Sequence, residues 1–484
     1  MHISSLDSPF GIGNFGVGAY QFADFLHQSG QRYWQVLPMH PTGFGNSPYQ
    51  SYSTFAGNPY FIDPEQLLAD GLLTQSEVDA VRTENTGKAA YDFLEQTRIP
   101  LLRLAYTRFV PTGAYLQFVR EESCWLIDYA LYMALKINND QRAWNEWTDP
   151  LLVAHDQQAL LKFAEENHSE IDFWKFVQFE FFAQWQKLKS YANERGIAII
   201  GDIPIYVSAD SADVWAHRSL FYYTDTNEPE FVAGCPPDYF SPDGQYWGNP
   251  VYRWEAHQQQ NFAWWLSRIA IMHKLYDVLR IDHFRGIEAY YRIPFHAPDA
   301  KNGEWVKGPD RAFVDAVRQF APDFPIIAED LGFITQEVHD LLDYSGYPGM
   351  KVLQFAFGSR EYPSDYLPHR YSRNCVVYTG THDNDTILGW YENDPNFDRD
   401  YLNTYAGLSA QEGINWGVMR LAMSSIADLC ILTAQDMLNL GSEARMNRPA
   451  TVGQNWLWRA QQGVFSSELA QKLLQLTKLY ERMP

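Results

Sequence analysis

The chain has little of what would place it on a nucleic acid, in a membrane or in an oxidising compartment. Basic residues are scarce: 37 Lys and Arg stand against 59 Asp and Glu, a formal net charge of −22. No basic run appears anywhere. Phosphate backbones and anionic lipid surfaces reward clustered Lys and Arg, so no nucleic acid and no membrane is expected as a partner. A neutral partner is the easiest to reconcile with this charge. No apolar run approaches the roughly 18 residues of a spanning helix, and Met1-His2-Ile3-Ser4 lacks the basic and apolar regions of a signal peptide. The expected address is cytoplasmic. The four cysteines, Cys124, Cys235, Cys375 and Cys430, are widely spaced with no C-x-x-C. They read as reduced thiols, not as a disulfide frame or a zinc site. The 13 histidines contain no H-x-H or H-E-x-x-H. HDND at 382–385 could ligate a metal only with histidines from other strands, which are missing, so no metal is expected.

What is present is an ordinary globular composition, 46% hydrophobic and 20% charged over 484 residues. Length alone suggests about three domains, but α/β barrels exceed that prior. Eight short apolar runs end in polar residues and read as strands: 2–7 (HISSLD), 32–39, 197–203, 277–283, 325–330, 350–357, 375–382 and 429–436. Amphipathic helix patterns precede several of them, at 175–193, 261–276 and 411–427. Alternating β and α elements imply a parallel sheet, and eight units imply a closed (β/α)8 TIM barrel, an α/β fold spanning 1–484 as a single domain. About 160 residues separate the second and third runs, where a plain unit needs about 30. Residues 60–170, rich in helix formers, are therefore read as a largely helical subdomain inserted after strand two. Residues 206–260 and 286–309 read as shorter Pro/Gly/aromatic-rich insertions enlarging the face where barrel chemistry occurs. No terminal β-sandwich pattern appears; residues 464–482 end the chain in a helix.

The carboxylates fall where such a barrel keeps its chemistry. Asp202, Asp282, Glu329 and Asp383 all lie at or just after the ends of proposed strands. In VLRIDHFRG (278–286), Arg280 and Asp282 are two apart and face the same side. A neighbouring guanidinium lowers a carboxyl's pKa and keeps it ionised, whereas the apolar run before Glu329 raises that one. Two carboxyls of opposite protonation state are what glycoside chemistry requires. Isolated ion pairs at a barrel rim are the plainer account of any one of them, but not of all four with Arg280 and His382 nearby. GIGNFG at 11–16 fits a dinucleotide motif, yet the acidic residue expected about 20 positions on is missing.

In this order, HISSLDSPFGIG, QVLPMHPTGFGNSPYQSYSTFAGNPY, GDIPIYV, PPDYFSPDGQYWGNPVY, RIDHFRG, AEDLG, KVLQFAF, THDND and RMNRPAT resemble the 4-α-glucanotransferases of the amylomaltase (disproportionating enzyme) type, in the wider α-amylase clan. The resemblance covers nearly the whole length. It implies a (β/α)8 barrel with inserted subdomains and no C-terminal β-sandwich. It implies Asp282 as nucleophile, Glu329 as acid/base and Asp383 as transition-state stabiliser. Arg280 and His382 match residues that orient the nucleophile and bind the same sugar, and Asp202 matches the first-motif aspartate. Ser47, Tyr49, Trp247, Asn249 and Asn447 match sugar-contacting loop positions. The chain departs at Ala450, where Gly is usual, and at Asn14, where Asp is expected.

The loops suit a sugar on physical grounds as well. NSPYQSYS (46–53) and GQYWGN (244–249) combine flat rings with amides on Pro/Gly-punctuated loops, matching an apolar C–H face rimmed by hydroxyls. The expected reaction is retaining transglycosylation, with maltooligosaccharides and α-1,4-glucans as donors and glucose or a glucan as acceptor. No cofactor is expected, because two carboxylates carry both the proton and the covalent bond. The rivals are a hydrolase using water with the same residues, and a catalytically dead glucan-binding protein on the same scaffold.

Overall fold

A computed structural model describes residues 1–237, 242–358 and 364–483. In chain order its strands are β1 (Tyr33–Gln35), β2 (Ala198–Ile203), β3 (Phe231–Cys235), β4 (Gln245–Pro250), β5 (Val278–Ile281) and β6 (Ala289–Pro294). They continue with β7 (Glu304–Lys307), β8 (Ile326–Ala328), β9 (Gly349–Val352), β10 (Cys375–Tyr378) and β11 (Leu429–Ile431). Seven of these fall within the expected barrel runs or at their edges. They pair in two parallel arcs, β1–β2–β5–β8 and β9–β10–β11. The Ala328 N–H donates to the Pro348 carbonyl at 3.0 Å and joins the two arcs.

The interior shows why the arcs form a barrel. Tyr33, Ile200, Val278, Ile327, Met350, Val376 and Leu429, one from each parallel strand, belong to one apolar cluster. Neighbouring Ile199 instead joins the large cluster shared with the surrounding helices, as the two-residue alternation of a strand requires. Gly201 is needed for a close approach: a Cβ there would lie 2.0 Å from the Tyr276 ring. The fold is an α/β barrel of the TIM type.

The first expected strand is the exception. HISSLD forms a 3-10 helix, Ile3–Ser5. The Ser5 and Leu6 N–H groups donate back to His2 and Ile3 carbonyls at 3.1 Å, so these peptides close on themselves. Adjacent serines favour such local bonding over a ladder. The segment still lies along β1, since the Trp34 indole donates to the Met1 carbonyl at 2.7 Å and the Leu37 N–H to His2 Nδ1 at 3.2 Å.

Between β1 and β2 the chain is helical, including Tyr91–Arg108, Ser123–Asn138 and the long His168–Glu194. The last covers β2, and its Trp185 indole donates to the Leu275 carbonyl at 2.9 Å. The residues after β2 and β5 build a separate antiparallel sheet, β4–β3–β6–β7. The last element among the described residues is the helix Ser467–Leu479. Among those residues no helix is long and apolar enough to cross a membrane.

Candidate active site

The register of β2 against β5 places Asp202 beside Arg280. Asp202 is fully buried. Arg280 Nη1 donates to both of its oxygens, at 2.7 and 2.8 Å, and to Asp282 Oδ1 at 2.9 Å. The Tyr49 hydroxyl donates to Asp202 Oδ2 at 2.7 Å. Burial raises the Asp202 carboxyl against the pull of Arg280. Burial also opposes charge on Arg280, but the Asp202 and Asp282 carboxylates reverse that and hold its pKa well above the ordinary value. One guanidinium thus serves a buried structural carboxylate and a more open one, the Asp282 side chain being 26% exposed.

Glu329 follows β8 and is buried. Burial, then the negative charge of Asp282, pushes its carboxyl up to about 8. Arg280 and two backbone amides pull the other way: the His283 N–H donates to Oε2 at 2.6 Å and the Leu331 N–H to Oε1 at 2.7 Å. Burial and the Asp282 charge thus favour its protonated form. Arg285, the second arginine of RIDHFRG, does not hold Asp282; it donates to the Phe333 carbonyl at 2.6 Å and lies over the Trp305 ring at 3.7 Å.

Beyond β10 the THDND turn is closed by Asn384, whose Oδ1 accepts from the Thr381 N–H at 2.8 Å. His382 stacks on Tyr49, centroids 5.1 Å apart and planes at 19°. Asp383 presents a carboxylate 45% exposed. Asn447 grips this turn twice, through its backbone N–H to the His382 carbonyl at 3.1 Å and its Nδ2 to Asp383 Oδ1 at 2.6 Å.

The loop residues divide. The Ser47 Oγ accepts from the Tyr49 N–H at 3.2 Å and shapes the turn that aims Tyr49. Asn249 is buried with its amide engaged on both sides, donating to the Val207 carbonyl at 2.9 Å and accepting from Gln50 at 3.0 Å. Trp247 donates its indole N–H to Gln245 Oε1 at 3.0 Å and meets His283 edge-on at 5.0 Å. Trp247 itself lies in β4, not in the expected loop, and residues 238–241 of that expected loop lie outside the described residues. Three contributors were not read from the sequence: Gln50, which ties the Tyr49 loop to β4; Arg445, which donates to the Asp383 carbonyl at 2.6 Å; and Trp456, within 6 Å of both Tyr49 and His382. Gln50 and Arg445 lie in motifs already singled out, whereas Trp456, at φ 64°, follows no periodic pattern.

A TIM barrel that gathers a guanidinium-held carboxylate, a buried carboxyl with a raised pKa and a third open carboxylate at its strand ends has the parts of an enzyme for acetal chemistry. A sequence profile of the 4-alpha-glucanotransferase family (glycoside hydrolase family 77) matches residues 1–465, and the chain belongs to that family. It is 46% identical to a 4-alpha-glucanotransferase of Clostridium butyricum, covering 100% of both chains. It is 44% identical to a 4-alpha-glucanotransferase of Streptococcus pneumoniae, covering 100% of this chain and 96% of that one. An amylomaltase from Streptococcus agalactiae, solved in complex with acarbose, superposes with a TM-score of 0.96 at 37% identity, covering 100% of this chain and 99% of the other.

Proposed function

We propose that the protein is a 4-α-glucanotransferase that passes a segment of an α-1,4-glucan to the 4-hydroxyl of an acceptor glucose or glucan by a retaining double displacement. The observation that supports the mechanism is the contrast between two carboxyls on neighbouring strands: Asp282 held by the Arg280 guanidinium, and Glu329 buried with its carboxyl pushed up to about 8. In this reading Asp282 attacks the anomeric carbon while Glu329 gives its proton to the departing glycosidic oxygen. The product is a covalent glucosyl-enzyme with Glu329 ionised. The acceptor 4-hydroxyl then loses its proton to Glu329, attacks the same carbon and releases Asp282. Asp383 holds hydroxyls of the reacting sugar, positioned by Asn447, and His382 with Tyr49 forms one wall of that subsite. The acarbose bound to the Streptococcus agalactiae relative supports an α-glucan in this cleft. The helical residues 60–170 act as an inserted subdomain beside the cleft, and the enzyme works in the cytoplasm.

Incubation with maltotriose tests the reaction. A ladder of longer oligomers plus glucose is expected, whereas short products alone would mean hydrolysis. The two roles separate with an activated donor whose leaving group needs no proton: Glu329→Gln should still accumulate the glucosyl-enzyme, detected by mass, and Asp282→Ala should not. Identical behaviour of the two variants would refute the assignment.

A further inference from the structure

Four residues after Glu329 the chain carries Phe333, with 65% of its surface exposed. The ring is backed by a column of other groups. Phe333 lies on Trp305 of β7, centroids 6.3 Å apart and planes at 25°. Trp305 in turn lies under the Arg285 guanidinium at 3.7 Å. Arg285 closes the arrangement by donating to the Phe333 carbonyl at 2.6 Å, and its other Nη faces Glu288 at 3.6 Å. Arg285 is 3% exposed, so a buried cation anchors the segment that presents an open phenyl face. Isolated exposed apolar residues are common on any surface. A flat ring held open on a buried scaffold beside a catalytic carboxyl is a different arrangement.

We propose that Phe333, backed by Trp305 and Arg285, is a stacking platform for a glucose unit of the acceptor chain beyond the one being joined. The inference rests on the reading of Glu329 as acid/base. If Glu329 protonates the leaving oxygen, its own loop borders the leaving and incoming sugars rather than the covalently held one. Four residues of chain keep Phe333 within about 14 Å of Glu329. The sugar being joined takes the position next to the carboxyl, so a ring four residues along the loop meets a later unit. One exposed ring is far short of the roughly 800 Å² per partner of a stable protein interface. A neutral pyranose with an apolar face fits both its size and the acidic character of the chain.

The test is transfer onto isotope-labelled glucose, maltose and maltotetraose at a fixed donor concentration, in the wild type and in Phe333→Ala, Phe333→Leu and Phe333→Trp. In the wild type KM should fall as the acceptor lengthens. Phe333→Ala should raise KM for maltotetraose about tenfold, the worth of part of a buried phenyl face, and shift KM for glucose less than twofold. Phe333→Leu, apolar but not flat, should behave like the alanine variant, and Phe333→Trp should restore the length dependence. A wild type indifferent to acceptor length, an equal KM change on all three acceptors, or a leucine variant matching the wild type would overturn the platform while leaving the transferase reading intact. Absence of transfer in the wild type would overturn both.

Discussion

The Asn447 side-chain amide donates to Asp383 Oδ1 at 2.6 Å while the Asn447 backbone N–H donates to the carbonyl of His382 at 3.1 Å. A residue from a distant loop thereby sets the direction of a carboxylate that is otherwise open to solvent. Asn447→Ala should leave Asp383 in place but free to rotate. Misplacement of about 1 Å costs on the order of a hundredfold in rate, so kcat on maltotriose should fall by about that factor. The thermal midpoint should hardly move, because the turn keeps its own Thr381–Asn384 hydrogen bonds. A large fall in thermal midpoint with kcat preserved would mean that Asn447 serves the fold instead.

An alkaline limit for the enzyme is predicted by the proposed role of Glu329 as acid. Its carboxyl sits at about 8 in the folded chain against an ordinary value of 4.5, raised first by burial and then by the Asp282 charge. The native state holds that proton more firmly than the unfolded chain does. Its stabilising contribution is complete below about 4.5 and is lost as pH rises through about 8. The kcat/KM profile should fall along the same alkaline limb, because the ionised acid cannot protonate a leaving oxygen. In Asp282→Asn, infrared titration of the Glu329 carboxyl should give a lower midpoint than in the wild type, since one cause of the rise is gone. An unchanged midpoint would show that burial acts alone.

Arg280 carries stability as well as orientation. Removing one partner of a buried ion pair typically costs about 3–5 kcal/mol, and Arg280→Ala would leave Asp202 as an unpaired carboxylate in the barrel. Urea unfolding should report a loss of that order. Adding Asp202→Asn should recover part of it, because a neutral amide tolerates burial better than a charge. Tyr49→Phe deletes a single hydrogen bond to Asp202 and should cost about 1–3 kcal/mol. If the two losses are equal, the ion pair contributes nothing beyond one ordinary hydrogen bond.

Trp247 lies in β4 rather than in the expected loop, its ring edge against His283, the residue after Asp282. Transfer requires that the glucosyl-enzyme meet a sugar before water. Trp247→Ala opens space beside that intermediate and should raise the hydrolysed fraction more than it slows first cleavage. Glucose and reducing-end release from maltotriose, measured together, separate the two. A proportional fall in both would mean that Trp247 only packs its sheet.

Asp202, Asp282 and Glu329 were legible because each combines two signals that rarely coincide by chance: an apolar run, and a carboxylate at its end. RIDH and AED show this most clearly, and the register that brings Arg280 to Asp202 follows from parallel pairing. HISSLD ends in a carboxylate, Asp7, but Ser4 and Ser5 interrupt its apolar run, and it folds into a 3-10 helix. Amides were harder to place. Nothing in the sequence distinguishes an amide that faces a sugar, as proposed for this loop, from one whose donor and acceptor are both engaged by the scaffold, as at Asn249. The antiparallel sheet was read as loop insertions because its strands are short and interrupted by Pro and Gly, so no long alternation marks them. Arg285 shows a further limit: it lies three residues after Asp282, yet packing turns it to Trp305 and the Phe333 carbonyl.

The sheet β4–β3–β6–β7 forms its ladders without any barrel strand, yet it carries both Trp247 and Trp305. Its exposed positions can therefore be varied without touching a barrel ladder, although Ala233 and Tyr290 share the main core and Asn249 bonds Val207. Substitutions along its cleft-facing edge would retune which chain lengths the enzyme makes, while the Asp202–Arg280–Asp282 linkage, embedded in β2 and β5, stays untouched. Libraries confined to 231–250 and 289–307 should consequently retain a far larger share of folded, turning-over variants than libraries of equal size aimed at the barrel strands.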